Sequence, residues 1–147
     1  MKLPKTIACN GYNVPTGTAK NDRAKRKQLI KQFYKNWAGE NVERKVKNDH
    51  LKQFIHVNRL SVKETEHWAC LSFRSTLTVL ELSYVLKHAI KVGNNIPKSN
   101  RNQKQFDDIL IMECIVPKLR PYVTTAKLTV GIVKGIGNKV QYCLTAK

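Results

Sequence analysis

The sequence lacks several patterns by which redox, zinc and membrane proteins are recognised. Its four cysteines are isolated, with no C-x-x-C pair and no cysteine–histidine cluster at zinc-ligand spacing. No segment approaches the ~18 consecutive apolar residues that a membrane helix requires. The absence of a signal peptide, together with unpaired cysteines that stand among apolar residues, predicts a reducing, cytoplasmic setting without membrane attachment.

Acidic residues are also scarce, and this disfavours metal-dependent hydrolysis. The chain has 10 Asp and Glu, scattered without close pairs that could hold a catalytic metal ion. Three glycines occur in "GIVKGIGNK", residues 131–139, but this segment is predicted to be a hairpin and does not precede a helix. A glycine-rich phosphate loop is therefore not predicted, and we expect no cofactor and no bound metal.

Positive charge is what the chain has in excess. Lys and Arg number 27, giving a net charge of +17 in 147 residues, which predicts affinity for polyanions, nucleic acid first. The alternative is a merely solvated basic surface. A predicted helix from about residue 23 to residue 39 has an apolar stripe and a strongly basic opposite face, on which we expect RNA contacts from Arg23, Arg26 and Lys27.

Hydrophobic periodicity changes along the chain from helical to alternating. Residues 1–20 are predicted to be an irregular arm and residues 40–52 a connector. Further helices are expected at about 62–80 and 82–89, and strands at 54–59, 108–117, 125–133 and 139–147, with a short strand near residue 90 and a basic loop over 93–105. The predicted fold class is α+β, with N-terminal helices packed on a C-terminal, mainly antiparallel sheet of three to four strands.

The alternation of apolar and polar residues in the last two predicted strands indicates how they pair. If residue 133 pairs with residue 139, one face of the hairpin is apolar and the other is small and polar, and a slip of one residue would destroy the match. The predicted polar-face pairs are Lys127–Thr145, Thr129–Cys143 and Gly131–Gln141; the apolar pairs are Leu128–Leu144, Val130–Tyr142 and Ile132–Val140.

The segment "SVKETEHWACLSFRST", residues 61–76, predicts one continuous helix with a charged edge. Ser61 and Glu64 form a capping-box pattern. On a helical wheel, Lys63, His67 and Arg74 fall along one edge of the apolar stripe. A histidine can carry a proton near neutral pH, and the two cations can hold a phosphate, so this edge is typical of a metal-free ribonuclease. The alternative is an ordinary helix with a basic edge and a histidine that only packs.

The run "FIHVNRLSVKETEHWACLSFRSTLTVLELSYVLKHAIKV" with "AKLTVGIVKGIGNKVQYCLTAK" resembles domains of polyvalent proteins from phages and mobile elements. Those domains belong to the nuclease superfamily that groups barnase, EndoU, colicin tRNases and RelE. The resemblance covers roughly residues 50–147 and depends most on "SVKET", His67, the Ser-Thr pair at 75–76 and the final hairpin. It implies metal-independent RNA cleavage by His67 and Arg74 with Lys127 and Thr129, and Thr145 beside them.

These observations together predict a basic N-terminal arm and helix, residues 1–49, followed by a nuclease domain, residues 50–147. The expected function is a metal-independent endoribonuclease, a toxin or mobile-element effector in the bacterial host, that cleaves RNA through attack of the 2′-hydroxyl. Its expected partners are RNA, with tRNA one candidate, and a cognate inhibitor protein. Two alternatives stay open: a non-enzymatic nucleic-acid-binding protein of a phage or mobile element, and a domain that binds a protein partner.

Overall fold

A computed structural model of the chain describes residues 3–99 and 102–147, and it has an α+β fold, as predicted. Its strands form a six-stranded mixed sheet and a separate two-stranded hairpin. The helices are α1 (Lys20–Glu40), α2 (Arg59–Ala69), α3 (Phe73–Val79) and α4 (Leu82–His88). The strands are β1 (Thr6–Cys9), β2 (Tyr12–Pro15), β3 (Lys45–Asn48), β4 (Gln53–His56), β5 (Ile90–Asn95), β6 (Phe106–Ile115), β7 (Thr125–Val133) and β8 (Lys139–Ala146).

The main sheet is larger than the three to four strands predicted. Its order is β3-β4-β8-β7-β6-β5, and every pairing is antiparallel except the short parallel contact of β4 with β8. Strands β3 and β5 lie at the two edges, and β3 falls in the segment predicted to be a connector. Edge strands such as β3, with the sequence KVKN, carry charge on a partly solvated surface, so they lack the apolar alternation that reveals a central strand.

Helices α2 and α3 cover the part of β8 that β4 leaves unpaired. The β4–β8 contact involves only Ile55–His56 with Lys139–Val140. Further along β8, the Ser61 hydroxyl donates to the carbonyl of Gln141 (2.5 Å), and the Ser75 hydroxyl accepts from the amide of Ala146 (3.0 Å). Serine hydroxyls from two helices thus form hydrogen bonds with a carbonyl and an amide of β8 that have no partner strand on this side.

The single helix predicted over residues 62–80 is in fact two helices. Helix α2 ends at Ala69, and α3 begins after Ser72, whose side chain accepts a hydrogen bond from the Ser75 amide (3.0 Å). The predicted cap is also wrong by three residues: Asn58 is the N-cap of α2, and Ser61 is its reciprocal partner at the third helical position. A Ser at Ncap and a Ser three residues into a helix give similar sequence signals, because both belong to capping motifs.

The hydrophobic core extends across the boundary predicted at residues 49 and 50. Val14, Ile30 and Trp37 are buried in one cluster with the helices and sheet that follow. A buried hydrogen bond joins the two parts as well, since the Gln141 amide nitrogen donates to the Tyr34 hydroxyl (2.8 Å) and to the Thr65 hydroxyl (2.9 Å). The segment of residues 7–37 therefore contributes side chains to the same core, and the predicted irregular arm contains the β1–β2 hairpin.

The predicted register of β7 with β8 is confirmed for half of the hairpin. The pairs Leu128–Leu144, Thr129–Cys143 and Lys127–Thr145 are as predicted. Beyond Thr129 a β-bulge shifts the register, so that Val130 pairs with Gln141 and Tyr142 is the extra residue. The shift turns Gln141 into the core, where it is fully buried, and Tyr142 is only partly buried. A bulge has no distinctive composition here, which is why the alternation alone gave the wrong pairs.

Within residues 3–99 and 102–147, no helix is both long enough and apolar enough to cross a membrane.

Candidate nucleic-acid interface

The face of the sheet that turns away from the core forms the floor of a cleft. Alternation along β7 places Leu128 and Val130 in the core and Lys127 and Thr129 on the opposite face. The cleft over this face has a volume of about 340 Å³. Its lining includes Lys127, Thr129, Cys143 and Thr145 on the floor, with Trp68, Ile96 and Lys98 among the residues around them.

A second cleft, of about 920 Å³, adjoins the first along helix α2. Lys63 and His67, one helical turn apart, contribute to its lining. The two clefts share Trp68, Lys98, Gln103 and Tyr142, so they form one continuous surface. We call this surface, lined by the residues named for the two clefts, the open-face groove.

Two aromatic side chains lie where the clefts meet. Trp68 is 51% exposed, and the ring of His67 contacts it edge to face with 4.8 Å between centroids. Tyr142 reaches the groove because the β-bulge gives β8 its extra residue there. Burial raises the pKa of Tyr142, and a hydrogen bond with Gln103 opposes that shift. Accessible aromatic rings beside cations are the features that bind unpaired bases and their phosphates.

Glu64 carries the only carboxylate that lines the groove among the described residues. It is largely buried, and it accepts a hydrogen bond from the Asn102 side-chain amide. Because Glu64 is largely buried, the charged side chains accessible in the groove are mainly those of Lys63, Lys98 and Lys127. The groove is therefore suited to an anionic ligand.

Arg74 does not join His67, contrary to the helical-wheel prediction. The break at Cys70–Ser72 places it on α3, where its Nε donates to the Tyr122 carbonyl (3.1 Å) and its guanidinium lies 4.5 Å from the centre of the Phe73 ring. Arg74 lines neither cleft of the groove. The helical wheel failed because it assumed one continuous helix.

The three basic residues predicted on α1 also have different placements. Arg23 is exposed and Lys27 is half-buried, and neither lines the groove. Arg26 is fully buried, and its guanidinium donates to the carbonyls of Cys70 (2.8 Å), Pro15 (2.9 Å) and Gly17 (2.6 Å). Arg26 is thus a structural residue whose donors are occupied, and the prediction that it contacts RNA is corrected.

Cys143 does not have the properties of a thiol nucleophile, and the described residues form no metal centre. Cys143 lies on the groove floor, but burial and the charge of Glu64 raise the pKa of its thiol to about 12, so the thiol stays protonated near neutral pH. Among the described residues, no cluster of three or more His, Cys, Asp or Glu side chains could hold a metal ion.

Sequence reasoning missed Trp68, Tyr142 and Lys98. Lys98 stood in a segment predicted to be an exposed basic loop, of which residues 100 and 101 lie outside the described residues. Trp68 follows His67 directly and carried a usable signal, since a tryptophan off the apolar stripe of a helix is an exposed aromatic. Tyr142 carried none, because its orientation depends on the bulge.

Comparison of the chain with protein-family models, with curated proteins and with solved structures finds no match.

Proposed function

We propose that the chain is a metal-independent endoribonuclease that binds single-stranded RNA in the open-face groove. The observation that supports this most directly is the continuity of the groove. It brings a histidine and a lysine of α2 onto the same surface as Lys127, Thr129 and Thr145 of the sheet. The aromatic rings of Trp68 and Tyr142 lie between these two groups and offer stacking surfaces for bases.

In the proposed reaction, the RNA supplies its own nucleophile. The 2′-oxygen forms a bond to the adjacent phosphorus while the bond from phosphorus to the 5′-oxygen breaks, leaving a 2′,3′-cyclic phosphate and a free 5′-hydroxyl. His67 accepts the proton of the 2′-hydroxyl, and a proton from water or from the Tyr142 hydroxyl reaches the departing 5′-oxygen. Lys63 and Lys127 bind the non-bridging oxygens as negative charge grows on them.

The proposal is tested by comparing His67→Ala with His50→Ala in single-turnover cleavage of total tRNA with EDTA present. His50 is exposed and outside the groove, so it is a matched control. We expect His67→Ala to lower the cleavage rate by about 10²–10⁴-fold and to change RNA affinity by only a few-fold. Cleavage by the unsubstituted chain should yield cyclic phosphates. Equal cleavage by both variants would end the catalytic role of His67.

A second candidate function is RNA binding without cleavage, and the position of Arg74 favours it. With Arg74 on α3, no arginine lines the open-face groove among the described residues, and the phosphate contacts depend on lysines. Lysine ammonium groups bind phosphate as point charges without the two-pronged geometry of a guanidinium. RNA that is retarded but recovered intact from the assay above would select this function.

The resemblance to nuclease domains of phages and mobile elements suggests a biological role for the proposed activity. We propose a cytoplasmic toxin or mobile-element effector acting in a bacterial host, with tRNA a candidate substrate and a cognate protein a candidate inhibitor. An inhibitor of this groove would have to be acidic, because it would compete with RNA for the same lysines.

A further inference from the structure

A separate cleft lies between helix α1 and the start of helix α2, and its lining is cationic. Its volume is about 390 Å³, which is within the range of small-molecule sites. Four basic side chains line it: Lys31, Lys35, Arg44 and Arg59. No acidic residue is part of the lining, although Glu66 approaches Lys31 at 4.0 Å.

The interior of this cleft is apolar. Tyr34 and Trp37 of α1, both buried, contribute to it, together with Val57 just before α2 and Val62 in the first turn of α2. Cations surrounding an apolar interior suit a ligand that has a ring or hydrocarbon body and an anionic group. Lys35, Arg44 and Arg59 form no ion pair within the part of the chain that the structure describes, so their charges are available.

The backbone around the cleft has two further features, at Arg44 and at the start of α2. Arg44 has a φ of 51°, in the left-handed region that residues other than glycine seldom adopt, and its carbonyl accepts from the Val57 amide (2.8 Å). At the start of α2, the Asn58 side chain accepts a hydrogen bond from the Ser61 amide, and the Ser61 hydroxyl accepts one from the Asn58 amide. Arg59 lines the cleft and is the first residue of α2, so its amide stands at the positive end of the helix dipole and has no partner among the described residues.

We propose that this α1–α2 cleft binds a phosphate monoester or diester attached to an apolar or aromatic ring, as in a nucleotide. The phosphate would lie between Lys35, the Arg59 guanidinium and the first amide of α2, and the ring would enter the apolar interior. The phosphate could be supplied by a free nucleotide or by the backbone of a nucleic acid. The site does not involve the open-face groove, so it stands or falls apart from the nuclease proposal.

The test uses 5′-AMP as the free nucleotide, adenosine as its control without phosphate, and a DNA oligothymidylate without terminal phosphates as the backbone source. Chemical shifts of the backbone amides are followed by NMR, and affinities by calorimetry. We expect 5′-AMP or the oligomer to shift the amide of Arg59, and adenosine to leave it unmoved. A response to 5′-AMP alone identifies a nucleotide site, and a response to the oligomer identifies a nucleic-acid contact.

A double variant that carries both Lys35→Gln and Arg59→Gln removes two positive charges from the cleft. Its control, Lys87→Gln with Arg120→Gln, removes the same two residue types from exposed positions outside the cleft. We expect the cleft variant to bind the responding probe about tenfold more weakly, since hydrogen bonds to charged groups are the strong ones, and the control to bind it within about twofold. Equal weakening in both variants, or no amide shift with either phosphate probe, would overturn the proposal.

Discussion

Replacing Arg26 with Ala should destabilise the chain far more than replacing Arg23, three residues earlier on the same helix. Arg26 is fully buried and Arg23 is exposed. The Arg26 guanidinium donates to the carbonyl of Pro15 at the end of β2, to that of Gly17 in the loop that follows, and to that of Cys70 at the end of α2. Burial lowers the pKa of Arg26, and the carboxylate of Asp22 opposes that shift.

The magnitude follows from the bonds that the Ala variant loses. Three contacts at 2.9 Å or less disappear, and hydrogen bonds to charged groups contribute about 1.5 kcal/mol or more each. Of the carbonyls left behind, that of Cys70 is in a buried position, and those of Pro15 and Gly17 are partly buried. We therefore expect the free energy of unfolding to fall by about 4 kcal/mol for Arg26→Ala and by less than about 0.5 kcal/mol for Arg23→Ala.

Urea unfolding followed by circular dichroism measures both variants against the unsubstituted chain. Thermal unfolding gives a second measure, because a loss of about 4 kcal/mol lowers Tm by about 8–16 °C in a chain of this size. Arg26→Lys should fall between the two, since it keeps the charge but not the planar group of donors. Arg26→Ala with the stability of Arg23→Ala would show that the buried guanidinium contributes nothing net.

Three further predictions concern the sheet and its thiols. Gly131→Ala should destabilise the chain by about 2 kcal/mol or more, because the added Cβ would lie 2.6 Å from the Phe106 ring. Gly93→Ala should be tolerated, because nothing lies within 4 Å of the added Cβ. Urea unfolding measures both variants. Val130→Asp should unfold the chain, because Val130 is fully buried, and Thr129→Ala on the opposite face should leave circular dichroism unchanged. Burial raises the pKa of Cys143 to about 12 and of Cys114 to about 11, so stability should be complete below the unfolded thiol pKa of about 8.5 and decline above it. Urea unfolding at about pH 7.5 and pH 9.5 checks this, and Cys143→Ala should show a smaller decline.

The predictable part of this fold is the part in which the apolar pattern is strong. The stripe of Ile30, Phe33 and Trp37 locates α1, and the alternation in β7 and β8 locates the final hairpin. The break between α2 and α3 was not predicted, since Cys70 and Leu71 continue the helical composition. The Cys70 carbonyl at the end of α2 accepts a hydrogen bond from Arg26, 44 residues earlier, and local sequence does not show such a contact. Tertiary contacts of this kind override local propensity.

The same reasoning explains which site residues were found. Lys127, Thr129 and Thr145 lie together because register can be read from two matched strands, as far as the bulge. His67 and Lys63 lie together because they are one turn apart on a real helix. Arg74 was misplaced by the helix break. Arg26 was misplaced because its basic neighbours outweighed its helical spacing from Ile30, Phe33 and Trp37, which puts it on the buried stripe. Charge composition alone cannot separate a buried arginine from an exposed one.

The covering of β8 by the hydroxyls of Ser61 and Ser75 has a consequence for aggregation. β8 alternates apolar and polar residues over Lys139–Ala146, and beyond its short contact with β4 it has no strand on that side. If α2 and α3 separate from the sheet, a strand edge with open amides and carbonyls becomes available to another copy of the chain. The two helices therefore protect the chain from self-association. Variants that weaken the packing of α2 and α3 on the sheet should aggregate before they unfold completely.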